Sequence, residues 1–268
     1  MSGPLPLEPE QLALAGSLVL VNGLLSLWLK LGLERKLAVA SLRTVVQLSL
    51  VGYILAPIFA WERPEPVLAL ALVMIALAGR AAVKRSGRTY RGAQLTAFAA
   101  LLLGAGATAL LATGVIVGAE PWWRPQYLIP LVGMMLGNTL TGVSLGLDRC
   151  LAELDERRDR VEGRLAMGAT WWEAARPVAS EALRAGMIPI LNSMSVVGLV
   201  TLPGMMTGQI LSGTDPTLAS RYQILIMFLI AAATALGTAA AVLVSTRAIF
   251  DDQHRLRPER ITRHRDRA

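Results

Sequence analysis

Long apolar runs alternate with short polar breaks along this chain, and the lengths of the runs fix its class. Seven runs stand out, at 11–33, 37–59, 66–83, 93–118, 126–147, 187–211 and 223–246. Each falls in or beyond the range of roughly 17–25 residues with which an α-helix crosses a hydrocarbon layer of about 30 Å. A chain of 268 residues has too few others to wrap seven such helices in a soluble core. The pattern therefore predicts an all-α, polytopic membrane protein with seven transmembrane helices, forming a single domain over 1–268. Two longer polar segments interrupt it: 148–186 and the tail 247–268.

Composition agrees. Hydrophobic residues make up 54% of the chain and charged residues 17%, with a mean hydropathy of +0.51; soluble domains carry nearer a quarter charged residues. The basic residues then orient the spans, because Lys and Arg near helix ends stay on the cytoplasmic side. Alternating the loops places 23 of the 26 on one side, including Lys30, Arg35, Lys36, Arg80, Lys84, Arg85, Arg88 and Arg91. Only Arg63, Arg124 and Arg221 fall on the other. With seven spans, the N-terminus is expected outside and the C-terminus in the cytoplasm. Met1–Gln11 carries Glu8 and Glu10 but no Lys or Arg, so the first run reads as a retained helix, not a cleaved signal.

The net charge of +7 does not point to nucleic acid, since the cations flank apolar runs instead of forming one solvated face. The tail from Asp251, with Arg255, Arg257, Arg260, Arg263, Arg265 and Arg267, reads as a disordered basic end drawn to anionic membrane lipids. A lone cysteine, Cys150, excludes an internal disulfide.

Within the spans, Gly133–Gly137, Gly142–Gly146 and Gly114–Gly118 have the four-residue spacing that lets helix backbones approach closely in lipid. The sixth run carries Pro189, Gly198, Pro203, Gly204 and Gly208. Proline removes a backbone donor and kinks or breaks a helix, so this run should face protein or water. Such discontinuous helices often bind a transporter's substrate, although a kinked packing helix would look the same. Polar side chains in the spans nominate a transport pathway: Arg43, Gln47, Asn138, Asn192 and Gln209, with Pro203, Gly204, Met205 and Met206 at the break. Arg43 and Gln47 share a helix face, and a charge there should turn inward or snorkel to the surface. The spans hold no Asp, Glu or His, which leaves no cage for a bare hard metal ion. The methionines, Met134, Met135, Met187, Met194, Met205, Met206 and Met227, are soft donors or plain core filler. No resident metal or cofactor is expected.

The stretch 148–186 carries a second kind of signal. Leu147, Leu151, Leu154, Val161 and Leu165 form one apolar stripe, and Glu153–Arg157 and Glu156–Arg160 stand at i,i+4 spacing. An amphipathic extension of the fifth span is expected. Beyond it, two helical pieces hinge at Gly168 beside Trp171 and Trp172. Paired tryptophans serve equally as interfacial anchors or as a plug for a partner's groove.

Glu162, Gly168, Ala169 and Val178 resemble the coupling-loop pattern of ABC transporter permeases, in which a short helix rests in a cleft of the ATP-binding subunit. Gly163 stands where that pattern has an alanine, and no Leu-Pro follows Val178. The run Gly186–Leu211, with Arg221–Phe228, Arg43-x3-Gln47-Leu48 and Pro130-x2-Gly133-Met134-x2-Gly137-Asn138, resembles the permease family of FetB-type iron exporters. Plant membrane subunits linked to aluminium tolerance belong to the same family. The resemblance implies a multi-pass permease of the bacterial inner membrane. It would be paired as a homodimer and driven by a separate cytosolic ABC ATPase docked at Glu162, Gly168, Ala169, Trp171, Trp172 and Val178, with iron or a related metal as exported cargo. The chain itself is not expected to be an enzyme: none of its lysines, Lys30, Lys36 and Lys84, follows a glycine, so it has no Walker-type phosphate loop. The alternatives are an ATPase-independent channel and a membrane scaffold that recruits a cytosolic partner.

Overall fold

The computed structural model describes residues 8–61 and 63–263. Nearly all of it is helix, and the chain divides into two compact units, 1–62 with 208–215, and 63–207 with 216–268.

The first unit contains a helical hairpin, α1 (Pro9–Trp28) and α2 (Glu34–Trp61). Glu8 and Gln11 form a reciprocal cap at the start of α1. The first helix stops five residues short of the predicted boundary, and Ser26 is the reason. Its hydroxyl donates to Glu34 Oε2 and accepts from the Leu33 N–H, both at 3.0 Å, which folds Leu29–Leu33 into a turn. Lys30 and Gly32 take left-handed backbone angles there.

The second unit is a bundle of α3 (Pro64–Arg85), α4 (Ala93–Ile116), α5 (Pro125–Glu156), α7 (Trp171–Val196) and α9 (Pro216–Ala248). A shorter helix, α6 (Arg158–Ala166), accompanies them; another, α8 (Gly204–Leu211), is divided, with 204–207 in this unit and 208–211 in the first. Helix α4 contains two wider π-type turns, Leu102–Gly106 and Ala112–Ile116. The core runs along α5, where Met135, Val143, Leu147, Cys150, Leu151 and Leu154 are fully buried. Glycines set a tight seam along it. A Cβ on Gly142 would lie 2.6 Å from Thr238 Oγ1, and one on Gly186 would lie 2.7 Å from the Gly142 carbonyl. A Cβ on Gly146 would also press on Thr238. The Gly142–Gly146 pair is thus a packing motif. Gly137 opens onto empty space, and Gly133 and Gly114 make only ordinary contacts.

Among the described residues, six helices are long and apolar enough to cross a membrane, namely α1 to α5 and α9. The expected sixth run, 187–211, is divided instead. Helix α7 passes through both Pro177 and Pro189 and ends at Val196, and the chain then turns at Gly198 (φ 82°) before α8 begins at Gly204. The break lies at 197–203 and not at Pro189.

The tail departs furthest from expectation. Residues 251–263 are ordered, and β2 (Ile261–Arg263) pairs antiparallel with β1 (Arg88–Tyr90), adding a small ribbon to an otherwise helical chain. Arg260 donates to the Ala248 and Phe250 carbonyls at the end of α9. Arg257 pairs with Asp251 at 2.8 Å. Arg263 and Arg88 both reach Asp155, at 2.8 and 3.1 Å. Local carboxylates and open carbonyls thus engage a tail whose composition alone suggested repulsion and disorder. Arg265 and Arg267 lie outside the described residues.

Candidate functional site

The elbow between α6 and α7 carries the residues singled out for coupling. Helix α5 extends past the apolar run as expected, burying Leu147, Leu151 and Leu154, and ends at Glu156. Arg157 breaks the register (φ −114°, ψ 30°) and α6 starts anew with Val161 buried and Leu165 half-buried. Of the two expected i,i+4 pairs, Glu153–Arg157 forms at 3.0 Å. Glu156–Arg160 does not, because the break separates them and Glu156 pairs with Arg88. Buried Glu153 is also held by Arg149 at 3.0 Å.

The hinge itself is Gly168, with φ 90° and nothing near the place of a Cβ. Glycine is needed there for its backbone angle, not for space. Helix α7 then opens on a capping box that the composition-led reading passed over. Thr170 Oγ1 accepts from the Glu173 N–H, while Glu173 Oε2 accepts from the Thr170 N–H and hydroxyl at 2.8 Å. The Thr-x-x-Glu signature of such a box is plain in the sequence. Those donors, the Thr170 backbone N–H foremost, hold the Glu173 carboxyl below the usual carboxylate range.

The two tryptophans part company. Trp171 turns toward the tail: its ring lies 6.1 Å from Phe250, Arg247 stands 5.6 Å over that ring, and the Trp171 backbone N–H donates to His254 Nδ1 at 3.3 Å. Trp172 stays 37% exposed, and beside the hinge Met167 is 82% exposed. Of the pair, therefore, Trp172 is the one offered outward, joined by a methionine that helical spacing did not nominate. The tail turn that receives Trp171 is fixed by Asp251, whose carboxyl the Arg255 N–H, with Arg257 and Gln253, holds below its usual range. Glu162 and Ala169 line a groove of about 300 Å³ together with Gln253, His254 and Arg255 of that turn. Val178 lines another, of about 420 Å³, beside Arg149, Arg157, Arg160 and Arg164.

The nominated pathway residues are spread more widely. Arg43 and Gln47 are exposed on α2. Asn138 is half-buried on α5 and donates back to the Met134 carbonyl of its own helix at 3.0 Å. Asn192 is exposed on α7. Pro203, Gly204, Met205, Met206 and Gln209 follow the break, and the buried Gln209 Oε1 has no hydrogen-bond partner among the described residues. Also among those residues, no three His, Cys, Asp or Glu side chains gather as a metal cage. Met135, one of the candidate soft donors, is sealed in the core.

Comparison with known proteins places this architecture. The profile described as an uncharacterised protein family, UPF0014, matches residues 9–250. The UPF0014 membrane protein slr1647 of Synechocystis is 41% identical over 231 residues, covering 85% of this chain and 88% of its own. The Escherichia coli protein named "Probable iron export permease protein FetB" is 34% identical over 247 residues, 92% of this chain and 94% of its own. The Arabidopsis protein ALUMINUM SENSITIVE 3 is 30% identical over 238 residues, 89% of this chain and 86% of its own. No solved structure matches. The chain belongs to the UPF0014 family of multi-pass membrane proteins.

Proposed function

We propose that this UPF0014 protein is the permease subunit of an ATP-driven exporter in the bacterial inner membrane, working as a homodimer with a separate cytosolic ABC ATPase. The observation that carries the reading is the continuity of α7. This helix of 26 residues starts at the elbow and ends at the break before α8. At 1.5 Å per residue it is about 39 Å long. Midway, Gly186 meets Gly142 and Thr238 in a tight seam of the bundle. A displacement at Trp172 therefore reaches the α5–α9 seam along one helix, which is how a non-hydrolysing subunit can receive work from a partner. Exposed Glu162, Met167 and Trp172 are the surface on which the ATPase would act, with Gly168 as hinge and Ala169 and Val178 in the flanking grooves. The N-terminus lies outside and the C-terminus inside, with seven crossings, the sixth being the broken passage through α7 and α8.

Iron or a related metal is proposed as cargo from the name of the Escherichia coli relative. The pathway is assigned to Arg43, Gln47, Asn138, Asn192 and Gln209, with Pro203, Gly204, Met205 and Met206 where the break gives way to α8. With no carboxylate or imidazole among these groups, a chelated metal fits them better than a bare ion.

The test is co-purification of the detergent-solubilised chain with the ATPase, followed by ATP-driven metal uptake into inside-out vesicles. Stable association and uptake are expected, both lost in Trp172→Glu and Gly168→Trp. Uptake without any ATPase would replace this reading with a channel. Association without any transported solute would replace it with a scaffold.

A further inference from the structure

A basic groove at the junction of α3 and α4 lies outside the coupling surface and the pathway. It encloses about 790 Å³ and is lined by Arg80 and Lys84 from the last turns of α3 and Arg91 just before α4. Ala76, Leu95 and Phe98 form an apolar part of its wall, beside Thr89, Tyr90 and Gln94. Among the described residues, no Asp or Glu lines it. All three cations are exposed, and none has an ion-pair or hydrogen-bond partner among the described residues. Arg88, in the same loop, shows the alternative, since it is fully engaged by Asp155 and Glu156.

Depth decides what such a groove can hold. Helix α3 has 22 residues and is about 33 Å long, enough to cross the hydrocarbon layer once. Arg80 and Lys84 on its last turns therefore stand at the level of lipid headgroups. Ala76 lies one turn deeper, and the outward row beside it, Val73 and Leu77, is 53% and 64% exposed. Across the groove Leu95 is 73% exposed. Isolated basic residues at a helix end simply snorkel into water. Here three converge over an apolar wall that continues down the outer face of the helices. An acidic protein surface would match the charges but has no use for the wall. A phospholipid matches both.

We propose that this groove is a binding site for one anionic phospholipid, with its phosphate among Arg80, Lys84 and Arg91 and an acyl chain along Ala76, Leu95 and Phe98. Because guanidinium and ammonium groups contact the headgroup directly, the site discriminates by net charge, favouring phosphatidylglycerol over zwitterionic phosphatidylethanolamine.

The experiment is native mass spectrometry of the full-length protein, released from detergent in the presence of each lipid. The variant Arg80→Gln/Lys84→Gln/Arg91→Gln is compared with Lys30→Gln/Arg35→Gln/Lys36→Gln, which removes the same charge from the α1–α2 turn. The first should bind phosphatidylglycerol on the order of a hundredfold more weakly, with phosphatidylethanolamine unchanged and the control near wild type. A second reading avoids removing the cations. In Leu95→Trp, the new indole should be quenched more by brominated phosphatidylglycerol than by brominated phosphatidylethanolamine. Equal loss in the control, or equal quenching by the two lipids, would overturn the proposal. Displacement of phosphatidylglycerol by inorganic phosphate would replace the lipid with a free anion. Loss of ATPase association in the triple variant with lipid retention intact would make the groove a protein-docking surface instead.

Discussion

In α1 and α2 only 6% of the most apolar stretch is buried, whereas the corresponding stretches of α4 and α5 are 56% buried and that of α9 is 50%. All of these helices are apolar enough to cross a membrane. Apolarity is therefore not what separates the hairpin from the bundle. The difference lies in where the small residues fall. In the bundle, Gly104, Gly142, Gly186 and Gly237 meet backbone or threonines at distances no side chain could tolerate. In the hairpin, Gly16, Gly23 and Gly52 face open space. The hairpin also leaves Arg43 and Gln47 exposed without a partner among the described residues, on a helix long enough to span the bilayer. A second copy of the chain, or water along a pathway, would supply what they lack. The bundle carries its own interactions, and the hairpin is built to acquire them.

The sharpest way to break this contrast is to add bulk to a glycine in each region. A Cβ on Gly104 of α4 would lie 2.6 Å from the Ala233 carbonyl oxygen and 2.7 Å from the Gly237 nitrogen, both backbone atoms of α9. Neither can swing aside. Gly104→Leu should lower stability by about 3 kcal/mol or more, at the upper end of overpacking effects, and be read as an early melting transition in detergent. Gly16→Leu and Gly52→Leu should leave melting within about 0.5 kcal/mol of wild type. If they melt as early as Gly104→Leu, the hairpin is as tightly packed as the bundle and the contrast fails.

Charge gives the second test, with the opposite sign. Removing a charge from a membrane helix favours insertion by up to about 2.5–3.5 kcal/mol at the bilayer centre, and less near the end of α2 where Arg43 sits. Arg43→Leu should therefore melt no earlier than wild type. ATP-driven transport should nonetheless fall roughly tenfold, an increase of about 1.4 kcal/mol in the barrier, if Arg43 faces the pathway or a second copy. Unchanged transport would return Arg43 to a snorkelling role.

Much of this contrast can be read from the chain before any coordinates, and the remainder has identifiable causes. Six of the seven apolar runs, the Gly142–Gly146 packing motif and the Gly168 hinge are local patterns, and each appears near its predicted place. The end of α1 was missed because Ser26 looks like one more tolerated polar residue until it meets Glu34. Pro189 reads as a breaker, yet α7 continues through it, as it does through Pro177. The tail was misread because what orders it is remote in sequence. Asp155 joins Arg88, 67 positions before it, to Arg263, 108 positions after it, and no periodicity encodes that meeting. The coupling elbow was legible as a hinge, but which tryptophan points outward depends on Phe250, Arg247 and His254.

Asp155 accordingly supplies a third and smaller test, confined to the bundle's end. Its carboxylate is partly exposed and binds two arginines, so solvent screening reduces each pair well below a buried one. Asp155→Asn should lower global stability by only about 1 kcal/mol. It should nonetheless speed amide hydrogen exchange at both strands of the ribbon, 88–90 and 261–263. Unchanged exchange there would mean that the strand pairing alone orders the tail.

The smallest effect expected is on pH, and its direction follows from the carboxylates at the two ends of the Trp171 contact. Glu173 caps α7 and Asp251 fixes the tail turn, and both are held below their usual range by the donors around them. A carboxyl group whose folded value is lowered contributes fully above its unfolded value, roughly 4, and loses that contribution as pH falls through the folded one. The elbow and the tail turn should thus stay docked from neutral pH down through the ordinary carboxylate range, loosening only below it. Fluorescence of Trp171, in a background where the other five tryptophans are replaced by phenylalanine, reports this directly. In Asp251→Asn the acid-dependent step should shrink, because one of the two groups that titrate in that range is gone. Loosening of the Trp171 contact above the ordinary carboxylate range would assign it to a group other than these two acids.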